Sequence, residues 1–402
     1  MKKRLMTMAS VFTLATAAML QPMPAMAAGT NYGTVIGGTK TTTFDKYLVM
    51  DKQANVPNAE FSFQVSAGVA KTYDLNGKTI EILAGVDADR VTVQGTEKDK
   101  IVYEPGDATV QDDNALVKNY DKGINQKYAK KTATLDFSDC RFTEPGVYRY
   151  IITETGTNQG VTNDEKTTRI VDVYVTDDSN NTEKKLTIAG YVLHTDADAI
   201  ASGVNNGSEG TNPNGKGQGF TNSYDTSDLT IRKGVSGNQA SKDKYFEFTV
   251  KITGAKAGTK YDVDITNADA TSGSNAATIG ANSGKANVTE LIADANGNVE
   301  QKFYLQDGQE IKIQGIAKDT KYEVTENPED YKSTGAGVTD YTDATTGKVE
   351  STDLKTSYLN TKDGVIPTGV VMAVAPFAVI TILGGAGIVR LSMRKKKDDE
   401  EE

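Results

Sequence analysis

Between Ala28 and Lys362 the apolar residues come in short runs at every second position, as in Phe61-Ser62-Phe63-Gln64-Val65 and Phe246-Glu247-Phe248-Thr249-Val250, each closed by turn-prone Gly, Asn or Asp. A period of two sends alternate side chains to opposite faces of a strand, so such runs can cover a sheet but offer no stripe on which a helix could pack. Strands are expected at Glu60 to Val65, Thr134 to Phe137, Val147 to Glu154, Arg169 to Val175, Tyr245 to Ile252, Val299 to Leu305 and Tyr322 to Glu326. No long amphipathic helix competes with them, and the expected fold class is all-β, as antiparallel sandwiches. The single cysteine, Cys140, rules out an intramolecular disulfide, so any covalent reinforcement must use other chemistry.

The two ends have different constraints. Met1-Lys2-Lys3-Arg4, an apolar stretch and the small-residue pattern Ala25-Met26-Ala27 have the layout of a secretory signal peptide over residues 1–27. Residues 370–389 form an uncharged, mostly apolar run of the length that crosses a bilayer, and Arg390, Arg394, Lys395, Lys396 and Lys397 follow it in a charged cytoplasmic tail over 390–402. Immediately before that run lies Val365-Ile366-Pro367-Thr368-Gly369. A pentad ending in Thr-Gly, then a span, then a basic tail resembles the Leu-Pro-x-Thr-Gly cell-wall sorting signals of sortase substrates, with Val365 in place of Leu and Ile366 in place of Pro. That resemblance implies cleavage between Thr368 and Gly369, and the departures leave the sortase class open.

The mature chain contains a weak internal repeat. Phe61-Ser62-Phe63 follows Lys46 much as Phe246-Glu247-Phe248 follows Lys233, and Tyr150 to Glu154 echoes Tyr322 to Glu326. Each copy closes on a short aromatic strand ending in asparagine, Phe220-Thr221-Asn222 and Tyr358-Leu359-Asn360. The boundary falls near residues 224–228, giving one domain over 28–224 and a second over 225–364. By strand alternation Lys46 shares a face with Phe44 and Leu48, Lys233 with Leu229 and Ile231, Glu154 with Tyr150 and Ile152, and Glu326 with Tyr322 and Val324. Asn222 goes with Phe220 and Asn360 with Tyr358, so all six polar residues are expected to face a core.

An unpaired buried ammonium or carboxylate is heavily penalised, and an apolar setting favours the uncharged form of both groups. A neutral lysine amine beside an asparagine amide can attack its carbonyl and expel ammonia, with the neighbouring carboxylic acid hydrogen-bonding that carbonyl and carrying the protons. Held in contact, such groups gain effective molarities of roughly 10⁵ M or more. The product is an isopeptide cross-link worth on the order of 4 kcal/mol or more by the chain-entropy argument.

With Phe-Thr-Asn at 220–222, Gly146-Val147-Tyr148-Arg149-Tyr150 leading to Glu154, and the run from Val370 to Phe377 behind the pentad, the chain resembles the streptococcal T-antigen type of backbone pilin. The resemblance implies two immunoglobulin-like (CnaB-type) sandwiches, with Lys46 joined to Asn222 under Glu154 and Lys233 joined to Asn360 under Glu326. It also implies a shaft subunit in a covalent polymer of identical subunits, joined by a sortase to the lysine just upstream of the Phe-Thr-Asn strand. Here that lysine is Lys216, in the Gly- and Asn-rich stretch 202–219. Anchorage to peptidoglycan at the cell surface, with tip or base pilins as further partners, follows from the same resemblance.

A net charge of −10 argues against nucleic acid as a partner, and a lone His194, without Cys/His or carboxylate spacing for ligation, points to no metal or cofactor. His194 reads as a strand-end polar residue. There is no Gly-x-Ser-x-Gly elbow, so the chain is expected to be a substrate for sortase and not an enzyme. The competing reading is a wall-anchored adhesin or stalk displayed as a monomer. The two differ on Lys216: Lys216→Ala should abolish a sortase-dependent ladder of polymers on a denaturing gel while leaving both internal cross-links, and an unchanged ladder would remove Lys216 from the linkage.

Overall fold

The computed structural model describes residues 33–75, 78–114, 117–177, 185–195, 219–267, 288–350 and 352–365. The signal peptide, Lys216, Ile366 to Gly369, the apolar run at 370–389 and the basic tail lie outside them. Among the described residues no helix is long and apolar enough to cross a membrane.

The strands form two pairs of sheets around two separate cores, as the alternation requires. In Phe246–Thr253 the buried residues Phe246, Phe248, Val250 and Ile252 alternate with partly exposed Glu247, Thr249 and Lys251. One core gathers Phe44, Leu48, Phe61, Phe63, Tyr150, Ile152, Val173 and Phe220; the other gathers Leu229, Ile231, Phe246, Phe248, Ile311, Ile313 and Val324. The seven strands expected from the sequence are all present, extended by a residue or more at most of their ends.

Two sheets enclose the first core. One runs in the order Gly33–Gly38, Lys185–His194, Thr168–Asp177, Gly146–Thr155, Ala59–Ala67, Lys100–Tyr103. The other runs Val161–Thr162, Gly219–Tyr224, Thr41–Asp51, Gln126–Asp136, Thr92–Gln94. The second core lies between a sheet centred on Gln309–Ala317, Thr226–Ser236 and Leu354–Thr361 and another made of Asn298–Leu305, Phe246–Thr253, Lys321–Asn327 and Thr346–Lys348.

Most pairings are antiparallel, and two of the exceptions tie together the beginning and the end of each half. Thr41–Asp51 lies parallel beside Gly219–Tyr224, and Thr226–Ser236 lies parallel beside Leu354–Thr361. A parallel neighbour needs a long crossover, and here each crossover is the rest of the sandwich. An early strand of each half is thereby laid against its last. Asp225 alone separates the strand that ends the first half from the strand that begins the second.

The halves also touch directly. Asn58 Nδ2 donates to Ala257 O at 2.9 Å, Gln159 Nε2 donates to Thr320 Oγ1 at 3.0 Å, and Thr226 Oγ1 donates to Asp51 Oδ2 at 3.2 Å. The Thr41–Asp51 strand goes beyond simple alternation, because Tyr47 and Val49 on its outer face are themselves covered by Val117 and Tyr128.

Gly219 opens the last strand of the first half with φ at +151°, and a Cβ there would fall 1.6 Å from the Asp45 carbonyl oxygen. That backbone approach tolerates no side chain. Gly219→Ala should therefore cost about 2 kcal/mol or more, read as a lower denaturant midpoint. An unchanged midpoint would show that the strand pairing does not extend up to Gly219.

Candidate functional site: two buried lysine, glutamate and asparagine clusters

In the first half Lys46 is paired across the parallel ladder with Phe220, which places Asn222 two residues further along the neighbouring strand and on the same inward face. Glu154 comes from the facing sheet, where it is paired with Phe63. The second half repeats this frame: Lys233 is opposite Tyr358 with Asn360 two residues on, and Glu326 is paired with Phe248. The structure thus brings together both sets of three residues expected from the sequence.

Lys46 Nζ is 2.8 Å from Glu154 Oε1, with both side chains fully buried, and Asn222 Nδ2 donates to the same oxygen at 3.1 Å. Lys233 Nζ is 2.7 Å from Glu326 Oε1, again fully buried, and Asn360 Nδ2 donates to that oxygen at 3.2 Å. A phenylalanine closes the far side of each amine, Phe61 with its ring centre 4.4 Å from Lys46 Nζ and Phe246 at 4.3 Å from Lys233 Nζ. Burial is the largest influence on both lysines and pushes each down to about 8, against the opposing pull of its glutamate. Around neutral pH a fraction of each amine is therefore uncharged, with an amide on the same glutamate oxygen.

The amide orientation differs from the expected one, in which the acid would hold the asparagine carbonyl. In both clusters the glutamate accepts from the amide nitrogen. In the first the carbonyl oxygen is already taken, because Asp164 N–H donates to Asn222 Oδ1 at 3.0 Å. This arrangement aims the carboxyl at the group that would leave as ammonia.

Several neighbours carry no signal in the sequence. Asn163 Oδ1 accepts from Asn222 Nδ2 at 3.2 Å, and Ser333 Oγ donates to Glu326 Oε2 at 2.9 Å. Asp164 and Arg169 form a buried pair beside the first cluster. No spacing rule would have found them, since their place depends on a loop folding back over the last strand. His194 does end its strand, but it is buried, with Nε2 3.1 Å from Asp172 Oδ2 beside Arg149, away from either cluster.

The chain is similar in sequence to known proteins. Residues 36–225 match the family described as Spy0128-like isopeptide containing domain, and residues 227–362 match a family described as a domain of unknown function. A curated pilin of Streptococcus pyogenes serotype M1 is 28% identical over 392 residues, covering 93% of this chain and 96% of the pilin. Among solved structures, the major pilin from S. pyogenes aligns at 24% identity over 82% of this chain and 100% of its own, with a TM-score of 0.49. The S. pyogenes major pilin T3.2 aligns at 20% identity over 81% of this chain and 100% of its own, with a TM-score of 0.46.

An unreacted Lys46 should have a measurable signature. In Asn222→Ala the amine has no amide to join, and its folded value near 8 lies below the 10.5 of the unfolded chain. The folded state then binds fewer protons between those values, so stability rises with pH across that window and is lost as pH falls through about 8, by up to about 3 kcal/mol in all. Denaturant unfolding from pH 7 to pH 10 should show this slope in Asn222→Ala and not in Lys46→Met/Asn222→Ala. Equal slopes would mean that the amine is not held in its buried, depressed state.

Proposed function

We propose, because this chain belongs to the streptococcal backbone-pilin family, that it is a pilus shaft subunit hardened by two self-formed isopeptide bonds and polymerised by sortase. The subunit role follows from the family. The finer chemistry is our reading, carried by one observation: in both halves a buried lysine and a buried asparagine share a single glutamate oxygen.

Each bond would form without an enzyme. The lysine passes a proton to the glutamate, and the neutral amine attacks Cγ of the asparagine. The tetrahedral intermediate collapses as the acid protonates the departing nitrogen, so that an amide and one ammonia replace an amine and a primary amide. The attacking nitrogen sheds its remaining extra proton through the same carboxylate to the departing ammonia, so the species that leaves is ammonium and the glutamate ends as the carboxylate it was at the start. The aromatic wall and the two sheets exclude water, which favours aminolysis over hydrolysis of the asparagine.

Polymerisation would use the ends. A sortase takes Thr368 as an acyl group with release of the segment from Gly369 onward, and Lys216 of another subunit resolves it. The last subunit is passed to peptidoglycan, fixing the fibre to the cell surface. On this reading residues 28–224 and 225–364 are the two domains of each subunit, and the chain acts as a substrate throughout.

The test is the intact mass of residues 28–364, which contain every described strand. Each bond removes one ammonia, about 17 Da by the exchange written above. Two losses are expected, mapping by peptide analysis to Lys46 with Asn222 and Lys233 with Asn360, and Glu154→Gln should abolish the first alone. A full mass with no loss would leave an ordinary pair of sandwiches and remove the cross-linking reading.

A further inference from the structure

The two clusters share a frame but differ at the oxygen that would carry charge during the reaction. In the second, Asn360 Oδ1 is buried with no hydrogen-bond partner among the described residues. In the first, Asn222 Oδ1 receives the Asp164 backbone N–H.

That N–H is held by a dedicated set of contacts. The Asp164 carboxylate accepts from Thr221 N at 2.9 Å, from Lys166 N at 3.0 Å and from Arg169 NH2 at 2.5 Å. Arg169 is itself buried and reaches in the other direction, its Nε donating to Gly219 O at 2.7 Å and its NH1 to Lys166 O at 2.6 Å. Its guanidinium lies over Phe220, 4.5 Å from the ring centre. Asp164 and Arg169 therefore clamp the loop after Glu154 to the strand that bears Asn222, gripping that strand at Gly219 and Thr221.

We infer that Asp164 and Arg169 are positioning residues for the first cross-link, holding the Asp164 N–H as an oxyanion donor for Asn222. This rests on the cross-linking reading above. When Lys46 Nζ bonds to Asn222 Cγ, the carbonyl π electrons move onto Oδ1, and a donor already in line with that oxygen stabilises the charge at no cost in reorganisation. As the intermediate collapses, the C–Nδ2 bond breaks and Glu154 supplies the proton that completes ammonia. The oxygen keeps its N–H partner throughout. The second cluster has the same amine and acid without the donor, and so serves as a reference inside the same molecule.

The experiment starts from residues 28–364 recovered unfolded in denaturant. The protein is diluted into refolding buffer and quenched over time, and the two ammonia losses are assigned by peptide mass. Arg169→Lys keeps the charge near Lys46 but cannot span Asp164, Lys166 and Gly219 together. It should slow the Lys46 to Asn222 reaction by about tenfold or more relative to Lys233 to Asn360, with a parallel loss at each pH tested and an unchanged shape of the pH profile. A shifted profile would show instead that the variant lets water reach the Lys46–Glu154 pair, and would overturn the assignment. So would an unchanged ratio of the two rates.

Should Arg169→Lys fail to refold by circular dichroism, Asp164→Asn decides by the same ratio: a slowed first reaction supports the clamp and an unchanged ratio overturns it. Absence of any ammonia loss in the parent chain would be a different failure, that of cross-linking itself.

Discussion

A lysine ammonium buried between two sheets is tolerable only with a partner, and in this chain the partner is one glutamate oxygen that an asparagine also touches. Much of the architecture follows from having to make that contact twice. The amine and the amide must be diagonal neighbours on adjacent strands, so an early and a late strand of each half must be paired, and paired in parallel. The acid must come from the facing sheet, which fixes the register of Gly146–Thr155 against Ala59–Ala67 and of Lys321–Asn327 against Phe246–Thr253. The phenylalanines at 61 and 246 then occupy equivalent places because each must shield an amine.

Both frames were legible in the sequence because strand alternation is a strong rule. Phe44, Lys46 and Leu48 share a face whatever surrounds them, as do Ile152 and Glu154, and the repetition of Lys, Glu and Asn in the same order marked them as a set. What alternation could not tell was the environment of the other face. Tyr47 and Val49 are buried because Val117 and Tyr128 cover them, a contact between residues far apart in the chain. The amide orientation escaped the sequence for a similar reason: it depends on a backbone N–H at Asp164, and no side-chain pattern announces a backbone donor.

The two halves show how far a shared reaction frame can carry different polar surroundings. Glu154 leaves one oxygen without a hydrogen-bond partner among the described residues, whereas Glu326 has Ser333 on the corresponding oxygen. Asn222 is held at both ends of its amide and Asn360 at one. Burial depresses the two lysines to similar values in spite of these differences, which identifies the apolar enclosure as the dominant influence and the polar neighbours as refinements.

The single residue between the halves, Asp225, gives the molecule a distinctive mechanical wiring. In a fibre joined through Lys216 and Thr368, a pull entering at Lys216 would run down the strand through Asn222 and Asp225, reach Lys233, cross to Asn360 and leave toward Thr368. The rest of the first domain would then lie off this line, and a Lys233–Asn360 bond would let the load bypass the chain between those two residues. The fibre would then behave as a cable of short covalent segments in series, with the sandwiches threaded along it as inextensible beads whose folding the tension never has to test.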